Sequence, residues 1–256
     1  MYKVFVTVLA LSCLTVTVPL MAQSPAIGQI PSVAQPSASG DIAQPEKSAS
    51  PGLVSGFALD FLNDQKAIWT SPFHISGGDI KFLAPAAAGA GAIAIFDHRI
   101  SNAVKANPSL TGPSNTISNV GLIAPWAVPG TFWLAGAVKH DEHAAETGRL
   151  GIEAAVDSEV VMQVLKLATG RMRPNGSDSM SFPSGHSMEA FALAAVLSKE
   201  YHDKPLVVFG SYGFATAVGL ARVGALEHFP SDVVVGAVIG ELIGRYVVNH
   251  HAQDAE

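Results

Sequence analysis

The chain has little charge. Asp, Glu, Lys and Arg make up 14% of its 256 residues, against roughly 25% in an average soluble domain, which excludes a coiled coil or a charge-rich disordered chain. Cations are scarcer still, 15 Lys and Arg against 21 Asp and Glu for a net charge of −6. The basic field that holds a phosphate backbone is therefore missing, and nucleic acid is not an expected partner. The single cysteine, Cys13, excludes an intrachain disulfide framework and a cysteine-rich zinc site. There is no internal repeat, and strand signals are few. What remains is a chain 48% hydrophobic and rich in Ala, Gly and Val. That composition suits a tightly packed helical domain or one partly embedded in a membrane, and it leaves the two open.

Residues 1–22 read as an export signal: Lys3, an uncharged apolar run, then Met21-Ala22-Gln23 as a small-residue cleavage point. Acylation at Cys13 would require a large aliphatic residue where Ala10 stands, so Cys13 is read as part of the signal. Residues 23–55 are a Pro/Ala/Ser/Gln stretch without hydrophobic period, expected to be a disordered linker. A helical domain is expected over 56–249, with a frayed polar tail at 250–256 that includes His250 and His251. Phe57, Phe61, Ile68 and Trp69 recur at helical spacing ahead of Pro72. Runs 82–96 and 120–138 are uncharged throughout and permit either close packing or membrane insertion. Residues 152–167 look helical, and Glu153, Asp157, Glu159 and Lys166 argue against a lipid-buried span there. With 187–197, 205–220 and 233–248 this makes six or seven helical segments. The fold class is all-α.

Three clusters in the C-terminal half need a joint explanation. Lys166 and Arg173-Pro174 lie at and beyond a helix end, where cations are favourable for dipole reasons alone but can also converge on an anion, Arg as a planar fork and Lys as a point charge. Pro183-Ser184-Gly185-His186 opens a helix, so backbone N–H groups and the Ser184 hydroxyl face outward, an ordinary cap or an anion site. Gly185 would let the backbone approach an oxyanion with no Cβ in the way. Arg222, His228 and Asp232 fall in the break between two apolar helices, with Asp232 in the first turn after Pro230. There Asp232 favours the helix dipole, or it accepts the N–H of His228 and frees the other ring nitrogen to attack. Together they suit phosphoryl transfer through a phosphohistidine: Lys166, Arg173, Arg222 and the Ser184/Gly185 groups hold the equatorial oxygens, His228 attacks, and His186 protonates the leaving alkoxide and later activates water. The cations neutralise the charge, so no metal or other cofactor is called for.

In order and spacing, with six, five and three residues between the paired positions, these motifs resemble those of the type 2 phosphatidic acid phosphatase (PAP2) and vanadium haloperoxidase superfamily. The resemblance covers 166–232, about a quarter of the chain. It implies a helical bundle with the site at the ends of its core helices and His228 as nucleophile. It also implies a phosphatase acting on a phosphorylated small molecule or a lipid phosphate, with possible membrane association, exported to the periplasm or to the inner membrane with its site facing the periplasm. A vanadate-dependent haloperoxidase using the same pocket, and a non-catalytic helical membrane protein, are the alternatives. Two positions depart from the pattern. Ala221 stands where the family's third motif has Ser, removing one oxyanion donor, and the segment 175–182 is short for a substrate-selective lid. Elsewhere, residues 140–143 read as a polar turn rather than a metal site. Glu189 reads as a first-turn acid, and Glu227 is expected to point outward.

Overall fold

The computed structural model describes residues 53–71 and 77–251; the expected export signal and nearly all of the expected linker lie outside them. Among the described residues there are eight α-helices and no strand: α1 (Leu53–Thr70), α2 (Gly77–Ala94), α3 (Asp97–Lys105), α4 (Thr111–Lys139), α5 (Glu142–Thr169), α6 (Gly185–Glu200), α7 (Pro205–Gly224) and α8 (Pro230–His251). The all-α reading holds, with one short helix, α3, that the sequence reading does not include. Helix limits follow local chemistry. Asp141 caps α5 by accepting the Ala144 N–H (3.0 Å), and α5 stops where Gly170 turns left-handed at φ 55°. Prolines open α7 and α8 at their first positions. Pro125 and Pro129 sit inside α4, which nonetheless continues to Lys139.

The core is shared by α5, α6 and α8 and built from Leu150, Ala154, Val161, Met162, Met188, Ala192, Val196, Ile243 and Val247. Small residues bring these backbones together. Gly236, Gly240 and Gly244 recur every four residues along one face of α8. A Cβ there would lie 2.5 Å from the Ser184 carbonyl, 2.0 Å from that of Met188 and 2.3 Å from that of Ala192. On the other side of α5, Gly148 and Gly151 fit against Pro129 and Trp133 of α4. The close approach of α8 to α6 sets the Ser184 turn beside the start of α8: the Ser184 N–H donates to the Asp232 carbonyl (3.0 Å).

Two helices are long and apolar enough to cross a membrane, within 108–139 and Pro205–Gly224. Of the two runs singled out by sequence, 120–138 forms most of the first, whereas 82–96 contributes only the shorter Leu83–Ala94. Only about a quarter of each apolar window is buried, 22% and 28%. Ile123, Leu134 and Val138 of α4 and Leu206, Phe209 and Leu220 of α7 are exposed. As its charges lead one to expect, α5 is not among the helices apolar enough to cross a membrane; its Glu153 and Asp157 are fully buried inside the bundle. Nor is the C-terminal end frayed at 250: α8 runs on to His251, which is buried.

Candidate active site

The ends of α5, α6, α7 and α8 bring the three motifs together. The charges of Arg222, Lys166 and Arg173 bear on both His186 and His228, so three cations from two helices and a loop converge on two imidazoles. Arg173 lies in the loop after α5, which ends four residues before it. Its Nε donates to Asp178 (2.7 Å), and its backbone N–H to the Asp178 carbonyl (3.0 Å). Arg222, at the last turn of α7, is 9% exposed and donates through Nη1 to Ser118 of α4. Ser118 thus places a hydroxyl against this guanidinium from a helix 104 residues earlier in the chain; Ala221, next to Arg222, is buried. Two motif atoms are buried without a hydrogen-bond partner: Arg222 Nε and Ser184 Oγ. Orphaned donors of this kind cost about 1–3 kcal/mol each when nothing meets them, and an oxyanion would satisfy both.

His228 is 1% exposed in the turn between α7 and α8. Arg222 and Leu226 shape that turn: the Arg222 carbonyl accepts the Glu227 and His228 N–H groups (3.1 and 3.3 Å), and Leu226 adopts the left-handed φ of 57°. His228 Nδ1 lies 2.5 Å from the Ser181 carbonyl. A carbonyl only accepts, so Nδ1 carries the proton and Nε2 keeps its lone pair. Here the structure corrects the expected His228–Asp232 hydrogen bond. Asp232 Oδ2 stands 4.0 Å from Nδ1, because its oxygens are taken by the Ser181 hydroxyl (2.6 Å), the Phe229 N–H (2.9 Å) and Arg171 Nη1 (2.5 Å). Asp232 holds the two segments that hold His228. Burial first, then Arg222, Lys166 and Arg173, push the His228 imidazole well below its ordinary range, so it stays neutral.

Behind Asp232 lies a layer the sequence reading misses. Arg171 Nη2 donates to Asp97 (2.7 Å), and its guanidinium stacks 4.3 Å from the Phe229 ring centre. Asp97, fully buried at the start of α3, also accepts the Ser231 N–H (3.0 Å) and hydroxyl (2.5 Å). The only signal for this layer is the Arg-x-Arg spacing of 171 and 173. Gly185 also proves to have another reason: a Cβ there would meet Met162 at 3.1 Å, so the glycine serves packing of α6 on α5.

Glu227 differs from its expected outward pose. Its carboxylate accepts from Arg173 Nη1, from Arg222 Nη2 (3.4 Å) and from Asn175 (3.4 Å), bridging two of the three cations. Any anion bound by both guanidiniums competes with it. Glu227→Gln is therefore expected to tighten inhibition by inorganic phosphate or vanadate about 3- to 10-fold, on the order of 1 kcal/mol for a partly exposed pair. Inhibition constants at fixed pH measure this, and an unchanged or weaker value would make Glu227 an orienting partner instead. Beside Arg171 and Arg173, a cleft of about 350 Å³ opens toward His98, Asn102 and Lys105 of α3.

Comparison with known proteins bears on these motifs. The model of the PAP2 superfamily matches residues 152–254. Lipid A 1-phosphatase of Porphyromonas gingivalis is 39% identical over 81 residues, 31% of this chain and 18% of that protein, so the match spans under a fifth of the relative's length. Among solved structures, Aquifex aeolicus LpxE is similar with a TM-score of 0.50 at 23% identity, over 60% of this chain and 96% of that one. A transmembrane PAP2-type phosphatidylglycerolphosphate phosphatase from Bacillus subtilis is similar with a TM-score of 0.53 at 24% identity, over 78% and 96%.

Proposed function

We propose that the protein, whose residues 152–254 match the model of the PAP2 superfamily, is a phosphatase that hydrolyses a lipid phosphate monoester through a phosphohistidine at His228. The convergence of Lys166, Arg173 and Arg222 on His186 and His228, with Arg222 Nε and Ser184 Oγ buried and unpartnered, carries this reading. The substrate phosphoryl oxygens bind the three cations and the Ser184 turn. His228 Nε2 attacks phosphorus in line: the N–P bond forms, the P–O ester bond breaks, and protonated His186 delivers its proton to the leaving alkoxide. Water, losing a proton to His186, then attacks the phosphohistidine, releasing phosphate and restoring neutral His228. Three cations carry the charge stabilisation, so added metal is not required. Burial first, then the charges of Arg222, Lys166 and Arg173, push the His186 imidazole down to about 3; the phosphate dianion opposes the cations' share of that shift and so favours the proton that His186 gives to the leaving group.

The lipid part of the reading rests on the exposed apolar faces of α4 and α7, which seat the bundle in a membrane, and on the substrates named for the relatives. The cleft by α3 receives the leaving group's polar head, and the N-terminal signal directs export with the site facing the periplasm. Purified in detergent, the protein is expected to release phosphate from phosphatidate in mixed micelles without added metal, and to fractionate with carbonate-washed membranes. No release from phosphatidate, or recovery in the soluble fraction, would overturn the respective part.

The pH dependence follows from the sign of the His228 shift. An imidazole held below its ordinary value remains neutral, and therefore nucleophilic, as pH falls through about 6.5. It is lost only at more acid pH. The acid limb of log kcat/KM is thus expected well below pH 6.5 once the substrate's own ionisation is allowed for. A limb centred at the free-histidine value would contradict the burial argument.

A further inference from the structure

Away from the three motifs, α1, α5 and the end of α8 enclose a second group of ionisable side chains. His251 lies 19 residues beyond Asp232 on α8, about 28 Å along the helix. Its Nε2 lies 3.0 Å from Asp64 and 3.5 Å from Glu153 Oε1. Arg149 reaches Glu153 Oε2 (3.2 Å) and Asp60 (3.6 Å) while also paired with Glu146 (2.7 Å). Gln65 donates to one oxygen of Asp157 (2.9 Å). Glu153 and Asp157 are both fully buried, and Glu153 Oε1 and Asp157 Oδ2 receive no hydrogen bond.

The charges do not balance. Four carboxylates, Asp60, Asp64, Glu153 and Asp157, face one imidazole and a guanidinium already shared with Glu146. Buried anions in excess of their counter-charges are costly unless something neutralises them. Asp60, Glu153 and His251 each present a ligand atom, all within 4.8 Å of one another. Donors held at about 2.0–2.2 Å from a common ion lie roughly 3–4 Å apart. The His251–Glu153 separation already meets that, and Asp60, whose side chain is partly exposed, can close the remainder by a rotamer change. One imidazole nitrogen among carboxylate oxygens suits first-row transition ions; calcium and magnesium take oxygen alone.

We propose that Asp60, Glu153 and His251, with Asp64 beside them, bind one divalent transition-metal ion that fastens α1 and the end of α8 to α5. The site is structural and independent of the phosphatase reading. To test it, the full chain, untagged and purified in detergent, is stripped with EDTA and titrated with Zn²⁺ alone. One ion per chain is expected by elemental analysis. With free zinc about 100-fold above its Kd, Tm should rise by about 5–10 °C. Asp60→Asn and Glu153→Gln should abolish both effects, while His250→Ala keeps them. If Glu153→Gln does not fold, Asp60→Asn at its partly exposed position decides. An unchanged Tm without stoichiometric metal in the wild type would overturn the proposal, as would a zinc shift that survives Asp60→Asn. So would a Tm that falls as pH rises through neutrality alike with and without zinc, since protons would then be the counter-charge.

Discussion

His228→Asn is expected to lower kcat on phosphatidate by about 10⁴-fold or more, the scale on which loss of a nucleophile acts when the rest of a site stays intact. Asparagine suits the test because its side-chain amide can still donate to the Ser181 carbonyl that His228 Nδ1 now faces at 2.5 Å. The turn between α7 and α8 therefore keeps its anchor, and only the nucleophilic Nε2 is removed. Binding should separate from chemistry: Lys166, Arg173, Arg222 and the Ser184 turn are untouched, so the affinity for inorganic phosphate should change by less than about tenfold, within 1.4 kcal/mol. Rapid quenching of the wild type with labelled substrate should trap an acid-labile, alkali-stable phosphoenzyme on residue 228, and the variant none. Turnover close to wild type in His228→Asn would end the phosphohistidine mechanism. Loss of turnover with a phosphoenzyme still formed would move the nucleophile elsewhere.

Which parts of this site were legible in the sequence follows from the range of the interactions. Lys166, Arg173, Ser184, His186, Arg222 and His228 stand in short motifs whose spacing carries the chemistry, and the helices around them have apolar periods and proline or glycine ends. The partner of His228 Nδ1 is a main-chain carbonyl, that of Ser181. Every residue has one, so no side-chain pattern reveals it. Asp97 and Ser118 act across 134 and 104 residues of sequence, on Ser231 and Arg222, and each lies in a segment otherwise unremarked. The polar cluster of α1 was obscured by the reverse effect. Phe57, Phe61 and Ile68 are half-buried, and Asp64 and Gln65 on the same helix are buried more deeply than they are, so a reading that sorts polar from apolar puts the wrong residues in water. His251 reads as part of a tail because polar residues follow it; its partner Asp64 lies 187 residues earlier.

Gly240 of α8 and Gly210 of α7 show how one substitution can take opposite signs in one protein. Gly240→Ala would put a Cβ 2.0 Å from the Met188 carbonyl oxygen and 2.8 Å from its carbon. No rotamer relieves a clash with backbone, so α6 and α8 must move apart or the helix must bend, and overpacking of this kind costs about 1–3 kcal/mol or more. The cost extends beyond stability. Four residues before Gly240, Gly236 fits against the Ser184 carbonyl, and Ser184 itself donates to Asp232. Parting the helices at Gly240 therefore separates the Pro-Ser-Gly-His turn from the segment that holds His228. Gly240→Ala is expected to lower Tm by several degrees, about 2–4 °C per kcal/mol for a chain of this size, and to reduce kcat/KM in the fraction that stays folded. Gly210→Ala is the control. It lies in α7, an added Cβ meets nothing within 4 Å, and alanine's helix propensity should raise stability by about 0.5–1 kcal/mol. Thermal unfolding of the two variants in the same detergent decides the matter. If both shift Tm in the same direction, the α6–α8 contact does not depend on the absence of a side chain at 240. The geometry that brings Ser184 to Asp232 would then need another cause.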